Sequence, residues 1–253
     1  MRFLGFLLSV SILCSSFKAM SVEGSQCPEG QHWVHAYHRR AYYKADGTFV
    51  SATEVSAHCQ GNPDNYHYWE TKLKDGHPYQ WLNKKEVSKS WTTEERERIL
   101  EALGELPSGL WDNAIINIYR MNISQTTKGN PGSSIRGVTV LYDSAFDQAH
   151  NLAEVLCHEL AHQNYLNLGQ VDIASYAEEN GWNNPKDIGG LNIWIPTRSS
   201  YVEPDGRDSP WEDYANNVQY FLFHPEKLHL VTPSAYDWIK YHFGDNFKVR
   251  GKR

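Results

Sequence analysis

Between residues 149 and 166, Leu152, Val155, Leu156 and Leu160 recur at intervals of three and four, the period of a helix with one buried side. Within that helix stands His158-Glu159-Leu160-Ala161-His162. Histidines at i and i+4 lie on one face, one above the other. Their imidazoles can bind a single Zn²⁺ together, at about 2.0–2.1 Å each. Glu159 lies beside the first histidine, placed to hold a metal-bound water rather than the metal. The plainer alternative is an amphipathic helix with two solvated histidines.

A catalytic zinc takes three protein ligands and keeps one position open for water. The third ligand must come from another element, because no histidine lies six residues beyond His162. Trp211-Glu212-Asp213-Tyr214-Ala215 opens a further helix about fifty residues downstream, with Pro210 suited to its first turn. Glu212 is the candidate third ligand. Asp213 points about 100° away on an ideal helix and is a candidate to orient a ligand histidine from behind. Alternatively, both acids only stabilise the helix N-terminus through its dipole. Glu203, in a loop, and Glu226, after His224-Pro225, are weaker rivals for the metal.

The rest of the chain supplies a small sheet and more helices. Thr92 and Glu95 form a capping box for a helix through Ile99, Leu100 and Leu103 that stops before Pro107. Ala114–Met121 and Val138–Tyr142 have strand character, with a turn at Asn130-Pro131-Gly132. The second of these strands is a candidate to hold an extended peptide by strand addition. A short helix is expected over 171–180, ending at Asn180-Gly181, then a loop-rich stretch over 183–209. Helices follow over Pro210–Phe223 and from Pro233 to His242. The expected class is α+β, a small sheet packed on helices, with the site between the sheet and the C-terminal helices.

The first 85 residues read differently. Met1-Arg2 and the apolar run Phe3–Cys14 match a secretory leader, residues 1–21, and fall short of the roughly twenty residues a span needs. The mature chain is expected outside the cytoplasm, secreted or periplasmic, with no membrane span. Residues 22–85 form a small β module and a linker. Aromatic and β-branched runs flank Asp46-Gly47 as a hairpin would. Cys27 and Cys59 bracket it and are expected to form a disulfide, favoured by export, leaving Cys157 as a buried thiol. The histidines at 32, 35, 38, 58, 67 and 77 do not form a tight ligand cluster. Residues 86–253 hold the main domain. Asn122-Ile123-Ser124 is a glycosylation acceptor only in a eukaryotic host.

His158-Glu159-x-x-His162 is the motif of zinc peptidases, and the segment from Pro107 to Gly244 resembles the lethal-factor-type zinc peptidase domain, a gluzincin group. Val140-Leu141-Tyr142-Asp143 leading into the motif helix, Glu179–Trp182, Trp211–Ala215, Phe223–Leu228 and the Tyr236–Phe243 helix carry the likeness. The resemblance implies a zincin-like catalytic domain holding one Zn²⁺ per chain on His158, His162 and Glu212. It makes Glu159 the general base and gives Tyr201 the role of stabilising the oxyanion. It implies a protein or peptide substrate. No counterpart of a toxin's delivery domain is present.

Composition narrows the partners. With 24 basic and 30 acidic residues and a formal charge of −6, the chain lacks the basic field of a general nucleic-acid binder. Two rival functions remain beside peptide hydrolysis. One is hydrolysis of cell-wall peptides, with the 27–59 module as the targeting part. The other is a non-catalytic binding protein that keeps the fold, although a pure scaffold has no need of Glu159.

Overall fold

A computed structural model describes residues 31–34, 36–39, 41–43, 49–61, 66–78, 86–111, 116–122, 129–183 and 193–244. The leader, Cys27 with its expected bond to Cys59, and the Asp46-Gly47 turn lie outside the described residues. The described part of the N-terminal module consists of short antiparallel ladders. β1 (Gln31–Val34), β2 (Tyr37–Arg39) and β3 (Tyr42–Tyr43) pair with β6 (His58–Gly61), β5 (Thr53–Val55) and β4 (Phe49–Val50) respectively. Gln31 faces Gly61, Tyr37 faces Val55 and Tyr43 faces Phe49, so the three ladders continue one register along a single ribbon.

The stretch after the ribbon packs into the main core. Trp69 of α1 (Tyr66–Glu70) is buried, as is Leu73 of β7 (Leu73–Lys74). β7, β8 (Asn117–Arg120) and β10 (Val138–Leu141) lie side by side in parallel, and β9 (Gly132–Ile135) closes the far edge antiparallel to β10. The fold is thus α+β, with a small mixed sheet and helices. All four residues of β10 are buried, as a strand covered on both faces requires. Because β8 and β9 occupy both of its ladders, β10 has no free edge for a peptide, contrary to the expectation for 138–142. Among the described residues the edges of the sheet are β7 and β9, and β9 is a strand absent from the sequence reading.

The helices follow their sequence signals. Thr92 and Glu95 make both bonds of the capping box at 3.1 Å each, starting α2 (Thr93–Glu105). Asn151 accepts from the Ala153 N–H at 3.1 Å and so starts α3 (Leu152–Asn167) three residues later than expected. Leu156, Cys157, Leu160 and Ala161 of α3 are wholly buried, and each buried Leu stabilises the fold by roughly 1.5–3 kcal/mol. Cys157 is a free, buried thiol whose pKa burial pushes well up. α4 (Gln170–Glu179) ends before Gly181, whose φ of 71° suits glycine.

The stretch expected as loop contains the short pair β11 (Trp182–Asn183) and β12 (Ile195–Pro196) and a 3₁₀ turn at Pro204–Arg207. α5 (Pro210–Phe223) runs against α3, and α6 (Pro225–Val231) and α7 (Pro233–Phe243) follow. α6 was not expected. Pro225 after His224 looks like a terminator, yet proline at the first helical position equally opens a helix. Among the described residues, no helix is long and apolar enough to cross a membrane.

Candidate metal centre

α3 presents two adjacent faces. His158 and His162 look toward α5, while Glu159 and Gln163 look toward the β9–β10 hairpin. Gln163 is 2% exposed. Its Oε1 accepts from Gly137 N at 2.8 Å, and its Nε2 donates to Ile135 O at 2.6 Å and Val138 O at 3.1 Å. Ser134 Oγ donates to Glu159 O at 3.0 Å. These bonds set the height of the hairpin on the helix.

On the other face, Ser209 caps α5 by accepting from Glu212 N at 3.1 Å. Glu212 therefore stands in the first turn, where the helix dipole favours its charge, but its carboxylate also reaches α3. His158 Nε2 and His162 Nε2 are 3.0 Å apart, and Glu212 Oε2 lies 3.5 and 3.3 Å from them. Atoms bound at about 2.0–2.1 Å around a tetrahedral zinc are about 3.3–3.4 Å from one another. The three atoms thus form a triangle of the size that a zinc ion needs, and two imidazoles with one carboxylate are a catalytic zinc donor set.

The three donors are electrostatically coupled. Burial opposes ionisation of Glu212, but hydrogen bonds with both histidines and their attraction hold its carboxyl far below the usual range. Burial likewise opposes the His158 cation, but the Glu212 hydrogen bond and the charges of Glu159 and Glu212 raise its pKa. Burial raises the Glu159 pKa against the influence of His158 and His162. Glu159 is 4% exposed and its Oε2 has no hydrogen-bond partner. An orphaned carboxylate oxygen beside the triangle is suited to a ligand or water. The Trp211 ring meets the His162 ring edge to face at 4.9 Å and fixes its tilt.

A cavity of about 830 Å³ opens over the triangle. The carboxylates of Glu154, Glu159, Glu203, Asp205, Asp208 and Glu212 line it, and among the described residues no lysine or arginine does. Asn216 donates to Asp205 Oδ1 at 2.7 Å, and the Tyr220 hydroxyl donates to Glu203. Glu154, one turn before His158, faces His224 Nε2 at 3.2 Å.

His158, Glu159, His162 and Glu212 come together in this cavity. Tyr201 does not line it. Its ring packs under the Arg198 guanidinium, 4.4 Å from the centroid, and near Trp182. Glu203 lines the cavity but stands outside the triangle, and Glu226 is exposed at the start of α6. Asp213 does not reach a ligand histidine. Its turn around α5 carries it to the far side, where Arg198, Trp182 Nε1 at 3.0 Å, Tyr176 OH at 3.2 Å and Asn217 Nδ2 at 2.9 Å donate to it. Sequence reasoning missed Gly132, Ser134 and Gln163. The signal for Gln163 was present, as a polar residue four positions after Glu159 inside a buried helix. Comparison with protein families, curated proteins and solved structures finds no match to this chain.

Proposed function

We propose that the chain is an exported zinc peptidase of the lethal-factor-type gluzincin kind, with a zincin-like domain that hydrolyses peptide bonds. The observation that carries this reading is the convergence of His158, His162 and Glu212 at zinc-ligand spacing beside the unpartnered carboxylate oxygen of Glu159. Bound zinc supplies Lewis acidity, polarising a carbonyl and lowering the pKa of a water ligand toward 7.

The chain's own residues do the rest. Glu159 accepts a proton from the water as its oxygen bonds to the carbonyl carbon. It passes that proton to the amine nitrogen as the C–N bond breaks. His158 and His162 would hold the zinc through their Nε2 atoms and Glu212 through its carboxylate. The oxyanion role that the resemblance gives to Tyr201 has no support in its placement.

β9 supplies the docking edge. Tyr142 N donates to Pro131 O at 3.0 Å, so the alternation of an antiparallel ladder turns the backbone groups of Gly132 and Ser134 outward. An extended peptide pairing there lies along Glu159. A cavity whose described lining holds carboxylates and no lysine or arginine repels phosphate-bearing substrates and favours peptides carrying positive charge.

The test is hydrolysis of an unfolded protein and of peptidoglycan peptides by the mature chain. Cleavage of either that stops on chelation and returns with zinc supports the reading. Its absence in zinc-loaded protein opposes it.

A further inference from the structure

We infer that Gly132 is a positioning residue for Glu159, retained because any side chain there displaces the base. A Cβ built on Gly132 lies 2.5 Å from Glu159 Oε1 and 2.8 Å from both Cδ and Cγ. The clash reaches the Cγ, so swinging the carboxylate alone does not relieve it. Glu159, 4% exposed, lines the cavity, so a Cβ at Gly132 would push its side chain toward that space and out of its position beside the triangle.

The backbone at Gly132 does not itself require glycine. Gly132 is absent from the positive-φ glycines and sits in a regular strand opposite Leu141. Glycine inside a strand weakens it, and its presence marks a close approach to another group. Here that group is Glu159. The approach is held from the other end of the hairpin by Gln163, whose three bonds fix the turn one helical turn beyond Glu159. Gly132 and Gln163 thus hold β9 close against α3, with the Glu159 side chain packed on the Gly132 backbone. Ser134, which donates to Glu159 O at 3.0 Å, stands between the two.

The inference rests on the peptidase reading for its kinetic arm, but its stability arm is independent of that reading. In the full mature chain, Gly132→Ala and Glu159→Ala are made singly and together, and thermal unfolding is measured without metal. Gly132→Ala lowers the midpoint when Glu159 is present and leaves it unchanged in the Glu159→Ala background. A loss that persists in that background overturns the inference, and so does Gly132→Ala with an unchanged midpoint. If Gly132→Ala does not fold, folding of the double variant supports the inference, and failure of the double variant overturns it.

Where the parent cleaves peptide, zinc-loaded Gly132→Ala keeps its zinc content and KM while kcat falls by about 10²-fold, as displacement of a reacting group by about 1 Å does. An unchanged kcat overturns the inference. A parent that binds zinc and cleaves nothing removes the peptidase reading and leaves the stability cycle standing.

Discussion

The Tyr214 hydroxyl donates to Asn164 Oδ1 at 2.5 Å, both residues lying in the interior. Each stands two residues beyond a metal-ligand candidate, Tyr214 after Glu212 and Asn164 after His162. The bond ties α5 to α3 next to the point where the carboxylate must meet the imidazoles. Tyr214→Phe leaves Asn164 Oδ1 without this donor, and such a buried loss costs about 1–3 kcal/mol. Urea unfolding of Tyr214→Phe is expected to show that loss. Metal titration is expected to show weaker binding with all three ligands still in place.

Asp213 is wholly buried and holds Arg198, Trp182, Tyr176 and Asn217 around it. It joins α5 to α4 and to the segment after β12. Asp213→Ala leaves the Arg198 cation uncompensated, and breaking such a buried pair costs about 3–5 kcal/mol. Chemical denaturation is the measurement. A loss under about 1 kcal/mol would show that the pair behaves as a surface one.

The His158-His162-Glu212 triangle was legible in the sequence because each helix that carries it has local signals. The i, i+4 spacing puts two histidines on one face, and Pro210 marks the start of the helix that bears Glu212. The partner of Asp213 was not legible, because Arg198 lies fifteen residues upstream in a stretch without periodicity. β9 was missed for a related reason. Gly132-Ser133-Ser134-Ile135 has little strand propensity of its own, and β10 imposes its conformation through pairing. α6 was hidden by the double meaning of Pro225.

Asp143 gives a dependence on pH. Burial works to raise its pKa, but hydrogen bonds and charges from Lys89 and Arg120 outweigh this and hold its carboxyl below the ordinary value. A depressed acid contributes stability that is complete above the unfolded value, about 3.9, and is lost as pH falls through the lower folded value. Asp143→Asn is therefore expected to be less stable than the parent at neutral pH, by a modest amount because Asp143 is half exposed. The gap between their denaturation curves closes as pH is taken below about 4. A gap that stays constant into acid contradicts the assignment.

The acid-lined cavity gives a dependence on salt. Peptides with lysine or arginine near the scissile bond are expected to be cleaved with a higher kcat/KM than matched peptides with glutamate. That advantage shrinks as ionic strength rises and the Debye length falls from about 10 Å at 0.1 M to about 3 Å at 1 M. Fluorogenic peptides differing only in charge provide the measurement, and equal rates for both would contradict the cavity's role.

The proposed centre requires Glu212 to meet the two histidines through a cation. Elemental analysis of the purified chain and of Glu212→Ala, each dialysed after zinc loading, addresses this most directly. The expected result is one zinc per chain in the parent and near none in a folded Glu212→Ala. Full zinc occupancy in Glu212→Ala, or none in the parent, would contradict it.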